Sequence, residues 1–174
     1  MIAPDLPGYG QTTPQAATDE PSVDYAAGLI EALVGDAGTY ARTQAVFHGY
    51  ITSVETGNPA AIGTMVDFWF GDGTFDRMPE AMTAGLRQAA PANARDVRAT
   101  FRETYAAGAF RRLPMPVVTV VGDRSPDITR RIATAIATHA PRGSVTLLAK
   151  ANHAMTTTHA DAVADSIASC VTGR

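Results

Sequence analysis

The chain has 174 residues, of which 45% are hydrophobic, so it is long enough to form one hydrophobic core and too short for two domains of usual size. Its net charge of −3 argues against a nucleic-acid partner or an anionic membrane surface, and its single cysteine excludes an intrachain disulfide and a thiolate zinc cluster. The sequence shows no long apolar run and no basic-then-apolar leader, so we expect a cytoplasmic protein without membrane contact.

The N-terminal residues predict one strand end and one helix. Ile2-Ala3 is typical of the end of a strand, and the proline- and glycine-rich residues up to Gly10 predict a turn. After a polar stretch, Ser22 predicts the cap of a helix that runs to about Val34.

Residues 39–110 show helical spacing of apolar side chains throughout. A first helix is predicted to end at Gly57, and Asn58-Pro59 predicts the cap and first turn of the next helix. A further helix is predicted over residues 79–86 and a polar helix over residues 92–105. Three aromatic residues of this block are interpreted as packing groups, with a substrate pocket as the weaker alternative: Phe68, Trp69 and Phe70.

The last third of the chain predicts a strand, a helix and a second strand. Val117–Val121 is a short apolar run, and Val145–Leu148 is the second strand. Ser125-Pro126-Asp127 predicts the start of the intervening helix, with Ser125 as its cap. This order and length predict a right-handed βαβ unit with parallel strands. His153 follows the second strand, at the edge of a parallel sheet where catalytic groups gather.

Three stretches resemble parts of α/β-hydrolase-fold enzymes, in particular esterase-like members. Residues 2–10, Ile-Ala-Pro-Asp-Leu-Pro-Gly-Tyr-Gly, resemble the strand and turn that precede the nucleophile helix of that family. Residues 116–163, with Val-Val-Gly-Asp-Arg-Ser-Pro and Ala-Asn-His-Ala-Met, resemble its last two strands and histidine loop. The block around Asp67-Phe68-Trp69 and Gly71-Asp72-Gly73 is similar to the cap region of small-molecule esterases.

The resemblance implies a catalytic role for two residues. His153 matches the position of the general base, and Asp123 is the better candidate for the acid, ahead of Asp127, which is more simply a charge on the helix dipole. The serine of this family lies on a Gly-x-Ser-x-Gly turn, and no such turn occurs in the sequence. We therefore expect an incomplete triad, without a cofactor or a metal.

The expected fold class is α/β: a partial α/β-hydrolase fold with a small, mostly parallel sheet and a helical cap-like block. We expect a single, incomplete domain over residues 1–174, with residues 39–110 as the cap-like region and residues 114–174 as the strand-helix-strand-helix unit. The expected function is that of an esterase-like hydrolase, truncated by a late start and an internal deletion, and weakly active or inactive.

Other functions stay open. The chain is alternatively a non-catalytic binding module, or a subunit whose partner supplies the nucleophile; a homo-oligomer or a partner chain would then cover exposed sheet edges. A small-molecule substrate is expected only if the protein is active. A metal- or base-dependent enzyme using His153, His159 and Asp161 is the weakest candidate, because this spacing is not a recognised ligand pattern.

Overall fold

The structure, a computed structural model, describes residues 35–100 and 107–172. The strand end at Ile2-Ala3 and the helix from Ser22 to Val34, both predicted from the sequence, lie outside the described residues. The described elements follow in the order α1 (Ala37–Glu55), α2 (Ile62–Phe70), α3 (Glu80–Thr100), β1 (Val117–Gly122), α4 (Asp127–His139), β2 (Gly143–Leu148), α5 (Met155–Thr158) and α6 (Ala160–Thr172).

Helix α1 begins at a side-chain cap and buries one apolar stripe. The carboxylate of Asp36 accepts hydrogen bonds from the backbone N–H of Thr39, at 3.1 Å, and from its hydroxyl, at 2.9 Å. These bonds satisfy donors that the first helical turn leaves without a partner. The sequence predicts one apolar stripe for this helix, formed by Val46, Phe47, Tyr50, Ile51 and Val54. All of these are buried except Val46, which is partly buried against the same core.

Helices α2 and α3 pack against that stripe and close a small apolar core. Asn58 caps the short turn before α2, as predicted, by accepting a hydrogen bond from the N–H of Ala60 at 3.2 Å. The carboxylate of Asp67 accepts hydrogen bonds from the N–H groups of Gly73 (3.0 Å) and Phe75 (2.9 Å). Asp67 therefore folds the loop after α2 so that Phe75 enters the core with Ile62, Met65, Val66, Ala90 and Ala94.

Helix α3 continues through Pro91, so the prediction of two separate helices is wrong. Proline removes one helical hydrogen bond, but buried alanines on either side, Ala90 and Ala92, allow this helix to pack closely. The hydroxyl of Tyr50, a residue only 2% exposed, lies 3.2 Å from the carbonyl oxygen of Ala90 and 2.8 Å from Oδ1 of Asn93. Contacts with α1 therefore hold the helix together where local sequence favours a break.

The two strands form the predicted parallel pair, with Val117 opposite Gly143 and Gly122 opposite Leu148. Helix α4 packs on one face of this pair, where the hydroxyl of Thr119 donates a hydrogen bond to the carbonyl oxygen of Ala133 at 3.0 Å. Gly143 allows the close approach of α4, because a Cβ atom there would collide with the carbonyl group of Ala137.

The expected fold class, a partial α/β-hydrolase fold, is wrong for the described part of the chain. That part is mostly helical, and its sheet has two strands of six residues each. The apolar residues of α1, α2 and α3 bury one another in a helical core of their own, so they do not cover a sheet as crossover helices would.

Candidate functional site

The carboxyl edge of the sheet brings together the two loops in which catalytic residues were predicted. The N–H of Asp123 donates a hydrogen bond to the carbonyl oxygen of Leu148 at 3.0 Å, and the N–H of Arg124 donates one to that of Ala151 at 2.9 Å. Gly122 permits this approach, since a Cβ atom there would collide with the carbonyl group of Ala151. The turn after β1 thus holds the loop that carries His153.

His153 lies on the side of the helical block, where its ring stacks on Trp69. The two ring centroids are 4.3 Å apart with an interplanar angle of 25°, and the Phe70 ring lies 6.2 Å away. Asn152 fixes the loop locally: its Oδ1 accepts a hydrogen bond from the N–H of Ala154 at 2.9 Å, and its Nδ2 donates a long one, 3.4 Å, to the carbonyl oxygen of Phe70. Trp69 is therefore the neighbour that orients the imidazole.

The surroundings of His153 favour its neutral form. The residue is exposed overall, but its contact with the aromatic rings removes part of the water around the imidazole, and this desolvation lowers its pKa below the ordinary value of 6.5. A neutral imidazole at pH 7 is the state in which a histidine can accept a proton.

Asp123 follows β1 as predicted, but the structure does not join it to His153. Its side chain is exposed, and no hydrogen bond or ion pair links its carboxylate to His153 in residues 35–100 and 107–172. The alternative acid, Asp127, pairs with Arg131 at 2.5 Å and with Arg130 at 3.3 Å. The hydrogen bond from Arg131 is the main cause of the lowered pKa of the Asp127 carboxyl group. Asp127 thus has a structural role in α4.

Ser125 does not cap α4, which corrects a further prediction. The helix begins at Asp127, Pro126 precedes it, and no side chain caps it. Ser125 is instead buried, because its N–H donates to the carbonyl oxygen of Gly122 and turns the chain inward at the end of β1.

An open groove of about 590 Å³, which the sequence-based predictions missed, lies between the sheet and α6. It opens because α6 packs mainly on β1 and leaves the neighbouring face of β2 uncovered. The alternation of hydroxyl and apolar residues along β2 is the sequence signal that could have indicated one uncovered face. The groove is lined by Pro116, Val118, Arg142, Ser144, Thr146, Asp165, Ser166, Ser169 and Cys170.

The described residues contain no group of three or more His, Cys, Asp or Glu side chains that could hold a metal ion. His159, which was weighed as a ligand beside His153, has its Nδ1 2.9 Å from the hydroxyl of Thr158. Within the same residues, no helix is both long and apolar enough to cross a bilayer.

No protein-family model matches the chain, and neither a curated protein nor a solved structure is detectably similar to it. The resemblance to α/β hydrolases therefore rests on the sequence motifs alone.

Proposed function

We propose that the protein is a non-catalytic binding module related to the ester-cleaving α/β hydrolases, which does not hydrolyse esters by itself. The surroundings of His153 carry this proposal: the face of its ring stacks on Trp69, and neither ring nitrogen has a hydrogen-bond partner within residues 35–100 and 107–172. A general base in acyl transfer needs one ring nitrogen directed at a hydroxyl nucleophile and the other held by an acid. Here the neighbour that orients the ring is an aromatic side chain, which supplies neither.

The groove beside α6 supports a binding role. Its volume of about 590 Å³ lies within the range of roughly 300–1,000 Å³ that is usual for ligand sites. Its walls offer hydroxyl groups, together with the opposite charges of Arg142 and Asp165. Such walls can bind a polar or mixed ligand without any catalytic group.

A weak ester hydrolase is the second candidate. The lowered pKa of His153 favours it, because a neutral imidazole can act as a base at pH 7. The turn after β1 also brings Asp123 to the same edge of the sheet as the histidine loop.

Hydrolysis of a short-chain nitrophenyl ester distinguishes the two functions. We would compare the wild type, His153→Ala and the matched control His159→Ala, each against free imidazole at the same histidine concentration. We expect all three proteins to react no faster than imidazole, and we expect no labelling by a fluorophosphonate. Turnover that is lost in His153→Ala but kept in His159→Ala would contradict the proposal and establish the hydrolase.

A further inference from the structure

The outer edge of β2 has backbone groups that no strand of the described residues pairs with. The N–H of Val117 bonds to the carbonyl oxygen of Arg142 at 3.1 Å, and that of Asp123 to the carbonyl oxygen of Leu148 at 3.0 Å. In a parallel pair, alternate residues direct both their N–H and C=O groups to the same neighbour. The even-numbered residues of β2 therefore face β1, and the backbone groups of Val145 and Leu147 point outward.

The side chains along this edge lack the usual protection against strand pairing. Val145 is 41% exposed and Leu147 is 58% exposed, and both lie on the α4 face of the sheet. On the opposite face, Ser144 and Thr146 line the groove beside α6. Edge strands of monomeric proteins usually carry a charge, a proline or a bulge at their centre, whereas the centre of β2 has none of these.

The charges at the two ends of β2 indicate what could pair with it. Arg142 precedes the strand and Lys150 follows it; both are exposed, and neither forms an ion pair with another described residue. An antiparallel second copy would bring Arg142 of each copy close to Lys150 of the other, and the like charges would repel. A strand with carboxylates near both ends would be attracted instead.

We propose that the outer edge of β2 binds an extended segment of a partner polypeptide as a third strand. The segment has apolar side chains at alternate positions, which cover Val145 and Leu147, and acidic side chains near its ends, which pair with Arg142 and Lys150. Its small polar side chains on the other face enter the groove beside α6. This inference rests on the proposed binding role and names the class of partner.

A fluorescein-labelled peptide, Asp-Glu-Val-Thr-Val-Thr-Val-Glu-Asp, tests the inference with the full chain. Its symmetric charge pattern allows either strand direction. Fluorescence anisotropy should show saturable binding that weakens as salt is added, because exposed ion pairs are screened. The same peptide with proline at its central valine and at one neighbouring threonine should not bind, because one of these two residues must donate to the ladder in either strand direction. Absence of binding, or equal binding of the proline peptide, would overturn the inference.

Variants of the chain locate the site. Leu147→Asp should weaken binding by about tenfold or more, because it places a charge at the apolar contact and repels the acidic peptide. Met82→Asp is the matched control, since Met82 is 53% exposed on α3 and should leave the affinity unchanged. The double variant Arg142→Glu, Lys150→Glu reverses both charges and should also weaken binding of the peptide by about tenfold.

Other results separate the failure of this inference from failure of the proposed function. If Leu147→Asp converts a wild-type dimer into a monomer in size-exclusion chromatography, a second copy covers the edge and the inference is wrong. Loss of peptide binding in Met82→Asp as well as in Leu147→Asp would also contradict it. An ester-hydrolysis rate that depends on His153 would refute the non-catalytic role whether or not the peptide binds.

Discussion

His153 owes its properties to the Trp69 ring more than to any charged group. The stack covers one face of the imidazole and removes water from it, which lowers its pKa by desolvation. The contact that favours the neutral form of His153 therefore also makes the free energy of unfolding depend on whether this histidine is protonated.

We predict that the stability of the protein falls on mild acidification because of His153. Its folded-state pKa lies below the ordinary value of 6.5, so the unfolded chain binds the proton more readily than the folded chain. The contribution of the neutral imidazole is complete above about pH 6.5. It is lost as the pH falls through that value towards the folded-state pKa. Urea unfolding between about pH 7.5 and pH 5.5 measures the loss.

The variant His153→Phe is the control, because phenylalanine keeps a ring against Trp69 but cannot titrate. The Asp36 and Asp127 carboxyl groups also have lowered pKa values, but they titrate below their ordinary value of 3.8 and stay outside this pH range. An equal pH dependence in wild type and variant would show that protonation of His153 has no such effect.

At the scale of the elements, Gly143 sets how closely α4 can approach β2. We predict that Gly143→Ala lowers the free energy of unfolding by about 1–3 kcal/mol, the usual range for overpacking. The new Cβ atom would meet the carbonyl group of Ala137, and backbone cannot rotate away as a side chain can. Urea unfolding followed by circular dichroism measures the difference.

Gly49→Ala is the matched control, since Gly49 lies inside α1 with no atom within 4 Å of an added Cβ. Alanine there should stabilise the helix by about 0.5–1 kcal/mol. If both variants had the same stability, the close approach of α4 to β2 would not exist in solution.

The elements that the sequence predicted correctly are those whose signal is local. Val117–Val121 is a run of β-branched residues, and the stripe of α1 repeats at helical spacing, so each pattern favours one structure. The predictions at Pro91 and Ser125 were wrong because the structure there depends on contacts that the local sequence does not show. Contacts with Tyr50 hold α3 together across Pro91. The turn at Gly122 buries Ser125, so its side chain does not cap α4.

The same distinction applies to the candidate site. The position of His153 after β2 could be predicted, because a loop after a parallel strand lies at a known edge of the sheet. Its contact with Trp69 could not, since the two residues lie far apart in the sequence and meet only through tertiary packing. The groove depends on where α6 lies across the strands, which no local pattern determines.

At the scale of the whole molecule, polar and aromatic contacts join the helical block to the βαβ unit within the part of the chain that the structure describes. Arg131 of α4 pairs with Asp127 in its own helix and, at 3.2 Å, with Asp36 at the start of α1. The second junction is the histidine loop, through Asn152 and the stack of His153 on Trp69. Exposed ion pairs contribute little to stability, so the aromatic junction should matter more.

A double-mutant cycle on Trp69 and His153 tests whether the two parts dock in this way. Trp69 also contacts Phe47 and Phe68, so Trp69→Ala alone removes more than the stack. The cycle cancels those losses, and the double variant should lose about 0.5–1.5 kcal/mol less than the sum of the two single variants. Urea unfolding followed by circular dichroism gives the four free energies.

A parallel cycle with His159→Ala in place of His153→Ala should give a coupling near zero. If both cycles gave zero, the histidine loop would not rest on α2 in solution, and His153 at the sheet edge would be separate from the helical block.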